Sequence, residues 1–417
     1  MNMNKPSLFM RTIVLFCLVV MGWGCKNNAP HTSMCAIIQR EDGYSIVFNM
    51  EEQRTDTSRI WVIRNGEERI EVSDIEERGD SLVVHLPFFE AEFRLKTTST
   101  GYTGTWSKAT SKGWQTMPID IEYGEGRYAL ASTKQRVPIT GGWRVEFSKP
   151  DGRKGIAKAE FQIKGDTLLG TFLTPTGDYR FLEGTFNGDS MLLSTFDGTH
   201  AFFFSARLSE EGQLVNGIFA SGPTHVEQWT AVRDEAMQID ESTAAMQVKN
   251  AESRLDFVFS DLDGNRVGIN DDRFKGKVVV VQIMGSWCPN CMDETQFLSS
   301  FYTEYASKGV EVIGLAYEYT TDSIRARKNL DRFRKKFDVR YPMLITGVTS
   351  SDSLKTEKTL PQMTPIKAYP SMIFIGKDGM VRKTHAGYSG PATGKHHEAF
   401  KEEFKSVIDA LVNEPLN

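Results

Sequence analysis

The sequence predicts a multidomain chain with an N-terminal all-β region, a sandwich or barrel, followed by a C-terminal α/β domain. Three observations carry this. From about Ala36 to Val232, short alternating or aromatic runs are separated by Gly-Asp and Asp-Gly turns, the signature of antiparallel strands. At Val278–Met284 the pattern changes to a continuous apolar run broken only by Gln282, followed by apolar residues at helical spacing. The chain is 417 residues long, more than one ordinary core accommodates.

At the N-terminus, Lys5 and Arg11 precede an apolar stretch from Thr12 to Trp23, short for a transmembrane helix and suited to a secretory signal. It ends at Gly22-Trp23-Gly24-Cys25, small residues before a cysteine, which resembles a bacterial lipoprotein cleavage site, with Trp23 unusual at its place. Residues 1–24 are therefore expected to leave as signal peptide, Cys25 to carry lipid, and residues 25–35 to form a tether. Two acyl chains hold a protein stably on a membrane. The alternative is a plain signal peptide with an incidental cysteine. Of the five cysteines, Cys17 leaves with the signal and Cys35 is a spare thiol in the stretch after the anchor.

Residues 36–235 form the expected all-β region of roughly ten to sixteen strands. A Gly-Asp-Ser/Thr-Leu/Met turn occurs at Gly79, Gly165 and Gly188, and the segments after Gly79 and Gly188 share later features, Gly104-Thr105-Trp106 and Gly217-Ile218-Phe219. Two readings stand side by side: a diverged duplication with halves 36–135 and 137–235, or one meander that reuses the same turn chemistry. The dense aromatic residues, Phe172, Tyr179, Phe202, Phe204, Phe219 and Trp229 among them, suit a core, and a barrel of this size has room for a ligand. No catalytic constellation is readable here; His85, His200 and His225 are isolated in sequence. Residues 236–251, polar and rich in Glu, Ala and Gln, read as a linker.

Within residues 252–417, the strand Val278–Met284 feeds through Gly285 and Ser286 into Trp287-Cys288-Pro289-Asn290-Cys291. From Pro289, the residues Phe297, Leu298, Phe301, Tyr302 and Tyr305 recur at helical spacing, and Gly309 is placed to end the helix. The cysteines therefore sit where a strand enters a helix. Unpaired amides and the helix dipole favour a thiolate there. Cys288 is the expected nucleophile toward a disulfide and Cys291, one turn on, the resolving thiol. Pro289 suits the first helical position but removes one amide donor, so Cys288 is expected to be less acidic than in a donor-rich site. CxxC spacing also occurs in zinc ribbons, but no second CxxC or Cys/His pair stands at ribbon spacing, so neither metal nor cofactor is expected.

Downstream, the apolar strand Val310–Tyr317 ends at Glu318. A basic cluster from Arg325 to Lys336 lies on a helix expected to bury Ile324, Leu330, Phe333 and Phe337. Tyr369-Pro370-Ser371 precedes the strand Met372–Ile375. Gly387–Pro391 reads as a flexible loop, and His396-His397 opens a last helix, to about Val412, as solvated polar surface.

Over about residues 252–412 the chain resembles thioredoxin-like proteins of the TlpA/ResA type, extracytoplasmic thiol-disulfide oxidoreductases. The resemblance rests on Phe257–Gly264, Phe274-Lys275-Gly276-Lys277, the Trp-Cys-Pro-Asn-Cys motif and Tyr369-Pro370-Ser371. It implies a thioredoxin-like fold, a cis proline at Pro370 against the CxxC, and Trp287, Tyr369 and Pro370 as substrate contacts. It also implies a carboxylate near the active site at Glu318, one position out of register. Where cytoplasmic thioredoxins carry a buried Asp, this chain has Gln282, which cannot accept the proton of Cys291.

The same resemblance implies reduction of disulfides in exported proteins or apocytochrome c, a membrane thiol transducer as electron donor, and a lipid-anchored place in the cell envelope facing the periplasm. A disulfide oxidase or isomerase is the alternative within thiol chemistry. A binding lipoprotein whose β region recruits clients is the alternative outside it. Peroxidase chemistry lacks its usual upstream pattern. The net charge of −5 gives no electrostatic reason for nucleic-acid binding.

Overall fold

The computed structural model describes residues 31–55, 58–124, 126–128, 139–250 and 254–415. The expected signal peptide, Cys17, Cys25 and the first part of the tether lie outside them. No helix among the described residues is long and apolar enough to cross a membrane.

The first module is a nine-stranded meander: β1 (His31–Gln39), β2 (Ser45–Arg54), β3 (Arg59–Asn65), β4 (Glu68–Val72), β5 (Asp74–Arg78), β6 (Ser81–His85), β7 (Ala91–Thr97), β8 (Gly101–Thr110) and β9 (Gly113–Tyr123). Its first strand pairs with its last, β1 with β9, and its sheet order runs from β4 to β5. Those two edge strands are consecutive in the chain across Ser73, so one bent strand joins the sheet's ends and rolls it into a barrel. The β-alternation turns Met34, Ala36, Ile38, Phe48, Trp61 and Phe93 into its core.

The second module repeats this order: β10 (Gly141–Ser148), β11 (Lys154–Lys164), β12 (Thr167–Thr174), β13 (Gly177–Asp178), β14 (Leu182–Asn187), β15 (Ser190–Phe196), β16 (Ala201–Leu208), β17 (Leu214–Ser221) and β18 (His225–Arg233). Here β10 pairs with β18, and β11 with β12, which closes an eight-stranded barrel with β13 as a short flap on β12. Aromatic rings fill the interior: Phe172 stacks on Phe204 at 4.5 Å, Phe204 on Phe219 at 4.6 Å, and Trp229 meets Phe172 edge-on. The turns at Gly79 and Gly188 occupy equivalent places, between β5 and β6 and between β14 and β15, each glycine in the left-handed region that such a turn needs.

The C-terminal module is a seven-stranded mixed sheet: β19 (Val258–Asp261), β20 (Arg266–Gly268), β21 (Val278–Met284), β22 (Val310–Ala316), β23 (Met343–Ile345), β24 (Ser371–Ile375) and β25 (Val381–Ala386). The order is β20-β19-β23-β22-β21-β24-β25, with β21, β22 and β23 parallel and β24 antiparallel to β21. The helices are α1 (Pro289–Tyr305), α2 (Ser323–Lys336), α3 (Lys355–Thr359) and α4 (Lys395–Asn413). Strand β21 is buried on both faces. Val278, Val280 and Met284 pack with Leu298, Phe301, Leu330, Phe404 and Ile408, while Val279, Val281 and Ile283 pack with Phe257, Leu360, Met363 and Ile366. That double burial explains its uninterrupted apolar sequence.

Several expectations are corrected. The tether ends early: β1 begins at His31, and Cys35 is buried in it between β2 and β9, because Met34, Ala36 and Ile38 demand an inward-facing strand. The β region holds eighteen strands among the described residues, more than sixteen. The linker is docked rather than free: Ala244 and Met246 are buried, and Val248 bridges to Met363. Ile324 is 81% exposed, because Ala326, Leu330 and Phe333 define the buried stripe of α2 and Ile324 points about 200° away from Ala326. The Gly387–Pro391 loop is pinned, with Tyr388 buried and the Gly390 amide donating to Asp178 at 2.6 Å. His396 and His397 are engaged rather than simply solvated, by Glu160 at 2.9 Å and the Ser389 carbonyl at 2.9 Å.

Candidate active site at the CxxC helix

The turn Gly285-Ser286-Trp287 carries the chain from β21 into α1, and Cys288 is the N-cap of that helix. Its sulfur accepts the Cys291 backbone N–H at 3.2 Å, and its thiol donates to the Tyr369 carbonyl at 3.5 Å. Pro289 occupies the first helical position, where its lack of N–H costs nothing to the helix. The Tyr369–Pro370 bond is cis, and the Tyr369 carbonyl meets Cys288 from the turn before β24. Trp287 is held by its ring N–H on the Tyr317 carbonyl at 2.8 Å, stacks on Tyr319 at 4.7 Å and meets Tyr369 edge-on. The structure thus brings Trp287, Cys288, Cys291, Tyr369 and Pro370 together.

Cys288 is only 5% exposed and Cys291 is fully buried. Burial first, then the hydrogen bond and charge of Cys288, and finally the charge of Glu294, push the Cys291 thiol well above its usual range. Among the described residues, no group of three or more His, Cys, Asp or Glu stands together to hold a metal.

Glu318 lies at the end of β22, but both its oxygens are taken by Ser286: Oε1 accepts the Ser286 N–H at 2.8 Å and Oε2 its hydroxyl at 2.6 Å. Burial pushes its carboxyl up to about 7, partly offset by these bonds. It braces the turn that aims Trp287 and Cys288. A second carboxyl, one the sequence reading missed, is the one whose charge reaches Cys291. Glu294, on α1 three positions after Cys291, is fully buried. Its Oε2 accepts from Gln282 Nε2 at 2.8 Å, and its Oε1 has no hydrogen-bond partner. Burial pushes this carboxyl up to about 8. The signal was available in outline: Gln282 is the one polar residue of β21 and needs a buried partner on the helix that covers it.

The second barrel closes over this site. Asn290, between the cysteines, donates to the Asp178 carbonyl at 3.0 Å. Arg180 donates to the Pro289 carbonyl at 3.1 Å and pairs with Asp293 of α1 and Glu68 of the first barrel. Burial works against the Arg180 charge, but Asp293, Glu68 and Asp197 more than offset it and hold its pKa well above the usual value. Between the β12–β13 hairpin and the CxxC lies a cavity of about 320 Å3 lined by Cys288, Trp287, Tyr369 and Lys367 on one side and by Thr176, Tyr179, His200 and Phe202 on the other.

Residues 247–401 match the family model described as Redoxin. The thiol-disulfide oxidoreductase ResA of Bacillus thuringiensis subsp. konkukian is 31% identical over 125 residues, 30% of this chain and 62% of that one. Over these residues the C-terminal module is similar to Redoxin-family and ResA proteins. A ResA from Halalkalibacterium halodurans is 26% identical over 158 residues, 38% of this chain and 76% of its own. The chain spans less than two thirds of the length of the first of these relatives. A solved thiol-disulfide oxidoreductase from Bacteroides fragilis aligns with a TM-score of 0.28 at 19% identity, over 36% of this chain and 99% of that one. The matched residues contain the CxxC and its surroundings and leave both barrels outside.

Proposed function

We propose that this chain is a thiol-disulfide oxidoreductase that reduces disulfides outside the cytoplasm, tethered to a membrane through lipid on Cys25. The observation that carries the reading is the pairing of an N-cap Cys288, whose sulfur already accepts the Cys291 amide, with a fully buried carboxyl, Glu294, whose charge reaches Cys291. In the first step the Cys288 thiolate attacks one substrate sulfur. The substrate S–S bond breaks, a Cys288–substrate disulfide forms, and the second substrate sulfur leaves as a thiolate that takes up a proton.

In the second step Cys291 gives its proton to Glu294 in its ionised form, whose Oε1 is free of other hydrogen bonds, and the resulting thiolate attacks Cys288. The substrate leaves reduced by two electrons and the Cys288–Cys291 pair is left oxidised. A thiol donor, such as a membrane thiol transducer, then restores the dithiol. Gln282 orients Glu294 without competing for the proton. Trp287, Tyr369 and Pro370 form the substrate-contact wall, and Glu318 acts as a positioning residue through Ser286.

The deciding experiment is the reduction potential of the Cys288/Cys291 pair in defined thiol buffers, together with trapping by Cys291→Ser. A potential near ~−270 mV and a stable mixed disulfide on Cys288 support a reductant; a potential near ~−120 mV assigns the pair to disulfide formation instead.

A further inference from the structure

The cavity beside Cys288 is lined on both flanks, by the redox domain and by the second barrel. The residues from Thr174 to Arg180, around β13, stand opposite the Lys367–Tyr369 segment with Cys288 at the floor between them. This second wall is held in place. The Asp178 carbonyl takes the Asn290 amide, the Asp178 carboxylate takes the Gly390 N–H, and Arg180 grips Pro289 and Asp293. Contact is backbone-close: a Cβ on Gly177 would stand 2.5 Å from Asn290 Nδ2, and one on Gly387 would stand 2.5 Å from the Gly177 nitrogen.

Size then selects. The slot holds about 320 Å3, the low end of the ~300–1,000 Å3 of small-ligand pockets. That is room for a cystine-like molecule or a few residues of extended chain. A folded partner needs a docking face of ~800 Å2 on each side, and the docked hairpin takes up one flank of the cavity beside Cys288. The lining sets the aromatic rings of Tyr179, Phe202, Trp287 and Tyr369 beside the polar groups of His200 and Lys367, which suits a sulfur-bearing group on a polar backbone.

We propose that the Thr174–Arg180 hairpin is the second wall of the substrate slot and restricts Cys288 to disulfides carried on a single narrow strand, either a small cystine-type disulfide or one in an unfolded, extended segment. This rests on Cys288 being the exchange nucleophile, as argued above. The β region thereby acts as a filter against disulfides already packed on a folded surface.

The test uses the reduced full chain and three probes: cystine, a disordered peptide containing a disulfide, and a folded domain displaying a disulfide of that same local sequence. Rates of exchange are read from Trp287 fluorescence. The expected result is that cystine, the peptide or both react at least about tenfold faster than the folded domain, as when access requires a conformational change. Asp178→Ala, which frees the hairpin from Gly390, is expected to narrow that gap, and Thr176→Trp at the exposed rim is expected to slow the narrow probes while circular dichroism stays unchanged. Cystine and the peptide, compared with each other, separate a small-molecule from a polypeptide source. Equal rates for the peptide and the folded domain in the unmodified chain overturn the filter. Failure of all three probes with titratable thiols overturns the exchange reading itself.

Discussion

The Arg180 guanidinium, from the second barrel, donates to the carbonyl of Pro289, the residue that follows the proposed nucleophile, at 3.1 Å. One side chain thus joins three modules, because the same group pairs with Asp293 on α1 and with Glu68 on the first barrel. Barrels and redox domain are coupled at the helix turn that holds both cysteines.

Arg180→Ala is expected to be strongly destabilising, by ~3–5 kcal/mol, because it leaves Asp293 and Glu68 buried without their cation. Arg180→Lys is expected to recover only part of this, since one ammonium cannot span a carbonyl and two carboxylates in the geometry of a planar fork. Urea denaturation of the three proteins measures both effects. A loss under ~1 kcal/mol for the alanine variant contradicts the coupling.

Glu294→Gln removes the proposed acceptor while keeping the volume and a hydrogen-bond partner for Gln282. Resolution of the mixed disulfide is expected to slow by ~10²-fold or more, with the first attack by Cys288 little changed. The pH profile of the resolution step should lose its inflection near the Glu294 value of about 8. Rapid-mix acid quench with mass spectrometry distinguishes the two steps, and an unaltered profile rules out Glu294 as the base.

Stability is expected to fall between about pH 5 and pH 8. Burial raises Glu294 to about 8 and Glu318 to about 7, both above an unfolded carboxylate near ~4.3. The folded state therefore holds these protons more tightly, so their contribution is full below the unfolded pKa and is lost as pH rises through the folded values. Asp197 and Glu160 act in the opposite sense. Burial opposes ionisation in both, but His200 and Arg180 at Asp197, and His396 and Lys395 at Glu160, bring each down to about 2. Their contribution is present above the unfolded pKa and lost as pH falls toward 2. Melting temperatures across this range should peak near pH 5, with a shallower alkaline fall in Glu294→Gln. A flat profile from pH 5 to 8 contradicts the burial argument.

Gly387→Ala is expected to pry the β12–β13 hairpin from the redox domain. The residue has φ of 74°, and an added Cβ would meet the Gly177 nitrogen at 2.5 Å, which neither backbone can yield cheaply. Backbone strain alone costs about 1–2 kcal/mol at such a position. Amide exchange within residues 174–180 should accelerate while protection of β21 and β22 is retained. Unchanged exchange there argues against hairpin docking through Gly387.

Much of the site was legible because it is local in the chain. A strand buried on both faces, a turn at Gly285, Cys288 at the N-cap and Cys291 one turn on are contiguous, and their periodicity changes where the strand becomes a helix. The β-rich character of the first half was legible for the same reason, since Gly-Asp turns and alternation are short-range signals. Cys35 was misplaced because a strand that closes a barrel on its last partner looks, by itself, like the end of a tether. Ile324 was misplaced because two residues of phase decide which side of α2 meets the core.

By itself, then, the sequence determined the CxxC cysteine pair, its strand-to-helix setting and the division into β and α/β regions, all of which depend on neighbours within a few residues. Only the tertiary structure decided that Glu294 is buried against Gln282, that Glu318 serves Ser286, and that Arg180 and Asp178 close a barrel wall over the slot. These contacts link residues up to 212 positions apart, as for Asp178 with Gly390. Burial gives them their force by removing competing water from the charges and leaving each buried polar group with few partners, and no local pattern in the chain records which distant group burial will supply.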